Sequence, residues 1–175
     1  NTRNPSVVTT GRLMNETLSP SAQKIQNSLH AQGYDCTVVE LPASTRTAQE
    51  AADACGCTLG QIVKSLIFRG KSSGQAVLAL VSGSNRVSEA RLAQVLGEAV
   101  EKADGDFVRA QTGFAIGGVP PLGHIQALRT VIDADLLQYD HIWAAAGTPH
   151  AVFQLSAASL QPMTGGQVAE IKQAG

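Results

Sequence analysis

The 175-residue sequence is short of aromatic side chains, at 4%, and of charge, at 15%. With so few aromatics, a core must be built from Ala, Val, Leu and Ile. An apolar content of 43% excludes a disordered chain, which could not offset the entropy of ordering. Thirteen basic and 14 acidic residues leave a net charge of −1. That excludes a protein that coats nucleic acid by counterion release alone, while leaving room for a few phosphates in a pocket. No apolar run nears the roughly 18 residues that cross a bilayer, so no membrane partner is expected. The three cysteines, Cys36, Cys55 and Cys57, contain one C-x-C pair with no partners at zinc spacing. The start does not read as a secretory leader, so reduced thiols and a cytoplasmic location are expected. Also missing are a Walker loop, a G-x-S-x-G elbow and a G-x-G-x-x-G after any strand.

What is present is clear punctuation. The opening "NTRNPSVVTTGRLMNETLSPSAQ" is polar without an apolar period. Residues 1–17 are expected to be an extension, with 1–13 unstructured or vector-derived, and residues 18–175 to form one folded domain. Ser19-Pro20 opens a helix that Gly33 closes, with Ile25 and Leu29 on its buried face. "CTVVEL" reads as a strand. Thr47 with Glu50 makes a capping box for a helix ending near Gly56, and Thr58 with Gln61 suggests a shorter one. The turn "GKSSGQ" joins two apolar strands into a hairpin. Ser88 and Asp104 cap helices ended by Gly97 and Gly113. "FAIGG" reads as a short strand breaking into a Gly/Pro loop, and "TVIDADLL" as a strand and a helical turn. "DHIWAAAGTPHAVFQL" gives two strands around a turn, Ser156 caps a short helix, and the tail "GGQVAEIKQAG" reads as weakly helical. Strands and helices interleave irregularly, which predicts an α/β or α+β domain with a mixed sheet.

One residue breaks its pattern. In "GQIVKSLIF", residues 60–68, alternation puts Ile62, Lys64, Leu66 and Phe68 on one face of a strand. An ammonium among apolar neighbours costs free energy unless it is paired or wet. Lys64 therefore either snorkels from a sheet edge or stands at the rim of an apolar pocket to meet an anionic or carbonyl group.

Three other segments could carry chemistry. In "AIGGVPPLGH", Gly117 and Gly118 let a ligand approach the backbone, and Pro120 and Pro121 stiffen the loop around Val119. Such a loop can seat an oxyanion, or it can be a rigid crossing with no ligand. In "AAAGTPHAVF", small residues lead to the turn at Gly147, from which His150 emerges; a lone histidine there is more often structural than catalytic. In "ASTRTAQEAA", Arg46 and the helix start at Thr47 could bind an anion, or Thr47 could simply cap. His124 and His141 read as loop or surface residues, His30 lies on the first helix, and Asp133, Asp135 and Asp140 read as caps and turns.

Five segments, "STRTAQEAA", "GQIVKSLIF", "VLALVSGSNRV", "FAIGGVPPLGH" and "AAAGTPHAVF", occur in this order over residues 20–165. Together they resemble the YbaK/prolyl-tRNA-synthetase-associated editing domains, which are aminoacyl-tRNA deacylases. The resemblance implies a mixed α/β domain around a curved, barrel-like sheet, and hydrolysis of the ester joining a small wrong amino acid to the tRNA 3′ end. Lys64 matches the family's key lysine, and residues 117–121 its G-x-x-x-P loop, which makes Lys64, Gly117, Gly118 and Pro121 the catalytic candidates. Arg46, Thr47, Ser82, Val119, Pro120, Gly147 and His150 fall at substrate-binding positions, with His150 at a place that varies among subgroups. The implied mechanism has Lys64 at the terminal phosphate or the ester, loop amides on the carbonyl, and a water assisted by a ribose hydroxyl. No metal or cofactor is implied. The implied partners are the acceptor end of tRNA, of tRNA(Pro) or a related tRNA, and a synthetase; a monomer or weak homodimer fits. The rival readings are a non-catalytic module that binds the aminoacyl-adenosine end, a hydrolase of small esters or D-aminoacyl-tRNA, and a redox protein using Cys55 and Cys57.

Overall fold

A computed structural model describes residues 17–174. The extension expected over residues 1–17 lies, but for Thr17, outside them. Helix α1, Pro20–Ala31, starts at Pro20 after Ser19 and buries Ala22, Ile25 and Leu29, as the spacing predicts. Strand β1 is Val38–Glu40. Helix α2, Ala48–Cys55, begins with the full Thr47/Glu50 capping box, a motif worth about 1 kcal/mol. The Thr58/Gln61 box caps a single 3-10 turn, Leu59–Gln61, that runs directly into strand β2, Val63–Gly70.

Strand β2 forms the expected hairpin with β3, Ala76–Ser82. All seven residues of β3 are buried, because both faces of the sheet are covered. On one face, Val63, Ile67, Leu78 and Leu80 pack against α1 residues and against Ile142, Ala144 and Phe153. On the other, Leu66, Phe68, Val77, Ala79 and Val81 pack against Leu92 and Ile171. Helix α3 is Glu89–Leu96, strand β4 Val100–Lys102 and helix α4 Gly105–Thr112. Strand β5, Arg129–Asp133, leads through a 3-10 turn to β6, His141–Ala145, and β7, Ala151–Ser156. Helix α5, Leu160–Thr164, and strand β8, Gln167–Ala169, complete the described chain.

Five strands form one mixed sheet in the order β4-β2-β3-β5-β8, and three form a second in the order β1-β7-β6. The sheets meet through one parallel bridge between Ile62 and Trp143. They do not close into a barrel, which corrects the barrel-like form that the resemblance implies. Strand β2 thus has β3 along its whole length on one side. On its other side it touches β6 at Ile62 and β4 only from Phe68 onward.

Two local expectations also change, and one strand appears that no expectation covered. Residues 114–116 form no strand; the chain runs irregularly from Gly113 to β5. Strand β4, three residues long, carries no sequence pattern of its own and exists by pairing with the end of β2. The tail is extended and not helical: β8 pairs parallel to β5, Lys172 bridges Val87, and Ile171 is fully buried between them. Long-range pairing overrides a weak helical propensity there.

Candidate active site

The missing partner beside β2 makes the site. Alternation sends the backbone groups of Val63, Ser65 and Ile67 away from β3. The Ile67 carbonyl accepts from the Ala103 N–H at 3.2 Å, but Ser65 lies in the gap between β6 and β4. The Ser65 hydroxyl is also buried without a hydrogen-bond partner among the described residues. Two cavities open at this gap, and Lys64, Ser65, Leu66, Ile116 and Val119 line both.

The first cavity has a volume of about 240 Å³. Its walls are mostly small and apolar: Ala48 and Ala51 from α2, Ala144 and Ala145 from β6, Val152 from β7, with Ile62 and Val63 beneath. Thr45, Arg46, Thr47, Trp143 and Gly117 complete it. Thr45 is buried and its hydroxyl donates to the Pro149 carbonyl at 2.7 Å, which pins the approach to α2 against the β6–β7 turn. The second cavity, about 500 Å³, runs toward β4 and the C-terminal segment.

Lys64 sits half-buried at the waist and shares its face with Leu66 and Phe68, as alternation predicts. Its Nζ donates to the Asn85 backbone carbonyl. Asn85 is itself clamped: its Nδ2 donates to Asp133 Oδ2 and to Asp135 Oδ2, each at 2.9 Å. Asp133 is 1% exposed and also accepts from the backbone N–H groups of Ser82 and Asp135, both at 3.0 Å. Lys172 reaches Asp135 Oδ2 at 2.8 Å. That bond, with the one from Asn85, holds the Asp135 carboxyl below its usual range. Burial first, and the like charge of Arg86 second, push the Lys64 ammonium below its ordinary pKa, with Asp133 opposing them. Lys64 is therefore a cation kept short of counter-charge, which an incoming anionic group would relieve.

The loop after α4 supplies the opposite wall. Gly117 has φ +91°, and a Cβ there would lie 2.9 Å from Arg46 Cγ, so the arginine stem lies across a position where only glycine is unstrained. Gly118 packs edge-on against the β6–β7 turn; a Cβ would stand 2.9 Å from the Thr148 backbone. Its N–H is spent on the Ala115 carbonyl at 3.0 Å, and its carbonyl accepts from the Gly147 N–H at 2.9 Å. Pro120 and Pro121 carry no N–H and are buried. Of the loop residues that line the first cavity, Ile116, Gly117 and Val119, none has its backbone N–H taken up by a partner among the described residues.

The structure thus brings Arg46, Thr47, Lys64, Gly117 and Val119 to one cavity. Gly118, Pro120, Pro121 and Gly147 stand behind its wall as the support of the loop. Ser82 is fully buried, with its hydroxyl donating to the Gly60 carbonyl at 2.7 Å, and fixes the end of β3 from which Asn85 projects. The His150 side chain is exposed, while its carbonyl accepts from the Leu41 N–H at 2.8 Å. His124 is not a surface residue: its Nε2–H donates to the Pro120 carbonyl at 2.7 Å and its ring meets Phe114 edge-on. Burial lowers its pKa against the opposing hydrogen bond to Pro120, and its contacts make it a strut of the loop. Asn85, Arg86, Ser65 and the depth of Asp133 were not anticipated. The nearest signal was the polar run "SGSNR" at the end of an all-apolar strand. Burial pushes the Cys55 thiol up to about 11 and raises Cys57 as well, so neither is a ready thiolate.

The aminoacyl-tRNA editing domain matches residues 42–162, more than half of the chain and the whole of both cavity walls but for Gln173. The chain belongs to this family. Among relatives of the editing domain, EbsC of Enterococcus faecalis is 29% identical over 126 residues, covering 71% of this chain and 76% of its own. It is named a candidate Cys-tRNA(Pro)/Cys-tRNA(Cys) deacylase. A proline–tRNA ligase of Kosmotoga olearia is 36% identical over 97 residues, which cover 55% of this chain and 16% of the ligase. A solved structure described as a candidate trans-editing enzyme for prolyl-tRNA synthetase is 50% identical, with a TM-score of 0.85 over 90% of this chain and 100% of that one.

Proposed function

We propose that this editing domain hydrolyses the ester between a small, wrongly attached amino acid and the 3′-terminal adenosine of a tRNA, acting in trans in the cytoplasm. The tRNA would be tRNA(Pro) or a relative, with a prolyl-tRNA synthetase as the neighbouring enzyme. The observation that carries this reading is Lys64, half-buried and short of counter-charge at the point where a small alanine-walled cavity meets the open edge of β2.

In this mechanism the side chain of the amino acid enters the first cavity. Its walls admit Ala, Ser, Thr or Cys and crowd larger groups, a discrimination of about 1–3 kcal/mol per methylene. The Gly117 and Val119 amides receive the ester carbonyl and its developing oxyanion. Lys64 holds the ester against them and offsets negative charge as the tetrahedral intermediate forms. A water adds to the carbonyl carbon, the bond to the ribose oxygen breaks, and that oxygen takes a proton. Among the described residues no carboxylate or histidine lines the first cavity, so a ribose hydroxyl of the tRNA is the natural group to orient the water.

The test is a panel of tRNAs charged with Ala, Ser, Thr, Cys, Pro and 2-aminobutyrate, with loss of the ester followed over time. Faster loss of one or more small amino acids is expected. Decay of every ester at its spontaneous rate would leave a binding module and end the hydrolase reading.

A further inference from the structure

The second cavity has no role in holding a small side chain. It is roughly twice the size of the first, at about 500 against 240 Å³, and is joined to it at Lys64. An aminoacyl ester has two unequal halves on either side of one bond, and the two cavities have the same relation. The larger one has an apolar wall, with Leu66, Val87 and Val108 among its residues. Among the described residues its rim carries Arg86 and Lys102 in addition to Lys64, against one acid, Glu89.

Arg86 is held by its backbone on both sides. Its carbonyl accepts from the Gln173 N–H at 2.7 Å, the next residue, Val87, bridges Lys172, and the preceding Asn85 is clamped by Asp133 and Asp135. Its guanidinium is exposed at the cavity mouth. Lys102 stands on β4 opposite Phe68 in the register. An excess of cations around a partly apolar slot suits a base with a phosphate attached, and guanidinium is the group best matched to phosphate oxygens.

We propose that the second cavity receives the terminal nucleotide of the acceptor strand, with Arg86 as the residue that contacts its phosphate and Lys102 as a weaker second. Lys64 is then left to the ester. This rests on the reading of the protein as an aminoacyl-tRNA deacylase, and it assigns separate residues to the two halves of that substrate. Arg86 and Lys64 both line this cavity, so one substrate can meet both.

Two measurements test it, one of them independent of catalysis. In binding titrations of the unmodified protein, adenosine 5′-monophosphate should bind more tightly than adenosine, and Arg86→Gln should remove most of that difference. In kinetics, Arg86→Gln should raise KM for aminoacyl-tRNA about tenfold with kcat within about twofold. At neutral pH it should leave hydrolysis of a 3′-aminoacyl-adenosine without a 5′ phosphate at the rate of the unmodified protein. Lys102→Gln should act in the same way but more weakly. Equal binding of adenosine and its monophosphate would overturn the assignment, as would an equal loss on both esters. If the protein hydrolyses no ester yet still prefers the monophosphate through Arg86, the hydrolase reading fails and the nucleotide site stands.

Discussion

The two cavities share one wall and differ in everything else. The first is small, lined by alanines and valines, and framed by regular structure: the start of α2, β6 and β7. The second is larger, bears cations at its rim, and is closed by short or irregular pieces: the three residues of β4, the turn after β3 and the C-terminal segment. A packed wall of small residues sets size with little freedom to adapt, whereas charges on an open rim attract a phosphate without measuring it. On the proposed reading, selection between amino acids belongs to the first cavity and affinity for tRNA to the second, with Lys64 common to both.

The largest expected effect removes what the cavities share. Lys64→Met should lower kcat about a hundredfold or more on aminoacyl-tRNA and on aminoacyl-adenosine alike, as loss of a group that stabilises the transition state does. The fold should survive, which circular dichroism and a thermal melt would check. A lysine whose folded pKa lies below its unfolded one costs stability while it is charged, and that cost fades as pH rises through the folded pKa and is gone above the unfolded one. For the same reason, activity that needs the ammonium should fall as pH rises through a pKa below lysine's ordinary 10.5. Removing the like charge with Arg86→Gln should move that fall to higher pH. An unshifted limb would mean that the two cavities are not electrostatically coupled.

Next in size is Asp133→Ala. It would strand the backbone N–H groups of Ser82 and Asp135 and the Asn85 amide. A loss of about 3 kcal/mol is expected, or roughly 6–12 °C in Tm. Both substrate halves should suffer, since Asn85 holds Lys64 and carries Arg86. Smaller still, Ala145→Val should narrow the first cavity alone: threonyl and larger esters should slow about tenfold while the alanyl ester keeps its rate and KM. Equal slowing of all esters would show that Ala145 supports the wall without measuring the substrate. The smallest change is Ser65→Ala. It deletes a buried hydroxyl that has no partner among the described residues, so Tm should not fall. A drop of about threefold in kcat/KM would place that hydroxyl on the substrate, at the magnitude of one neutral hydrogen bond; unchanged kinetics would not.

The parts that were legible in the sequence are those set by local chemistry. The capping box at Thr47, the hairpin around "GKSSGQ" and the face shared by Lys64, Leu66 and Phe68 all follow from spacing within a few residues. The illegible parts depend on distant partners. β4 and β8 are too short to show a period and exist because β2 and β5 offer edges. Asp133 reads as the cap of a turn, which it is, but its second oxygen is occupied by residues some 50 positions away. His124 sits in a Gly/Pro loop that looks like surface, and only the packing of that loop over Phe114 encloses its ring. In the same way, "GGVPPLG" suggests a row of free amides, yet Gly118 spends its own on Ala115 to hold the bend.

The gap along β2 has a consequence for the protein's life among other proteins. An open sheet edge is a template on which a foreign chain can extend the sheet, and most proteins cover or charge such edges. Here residues 64–66 are left bare, with β6 anchored at one end and β4 at the other. The opening is shorter than the five or six residues typical of a strand and begins with a lysine. On the proposed reading a nucleic-acid end enters it, whereas an invading strand would meet a charge and have no room to align. The protein can therefore keep its sheet permanently open without becoming a seed for aggregation.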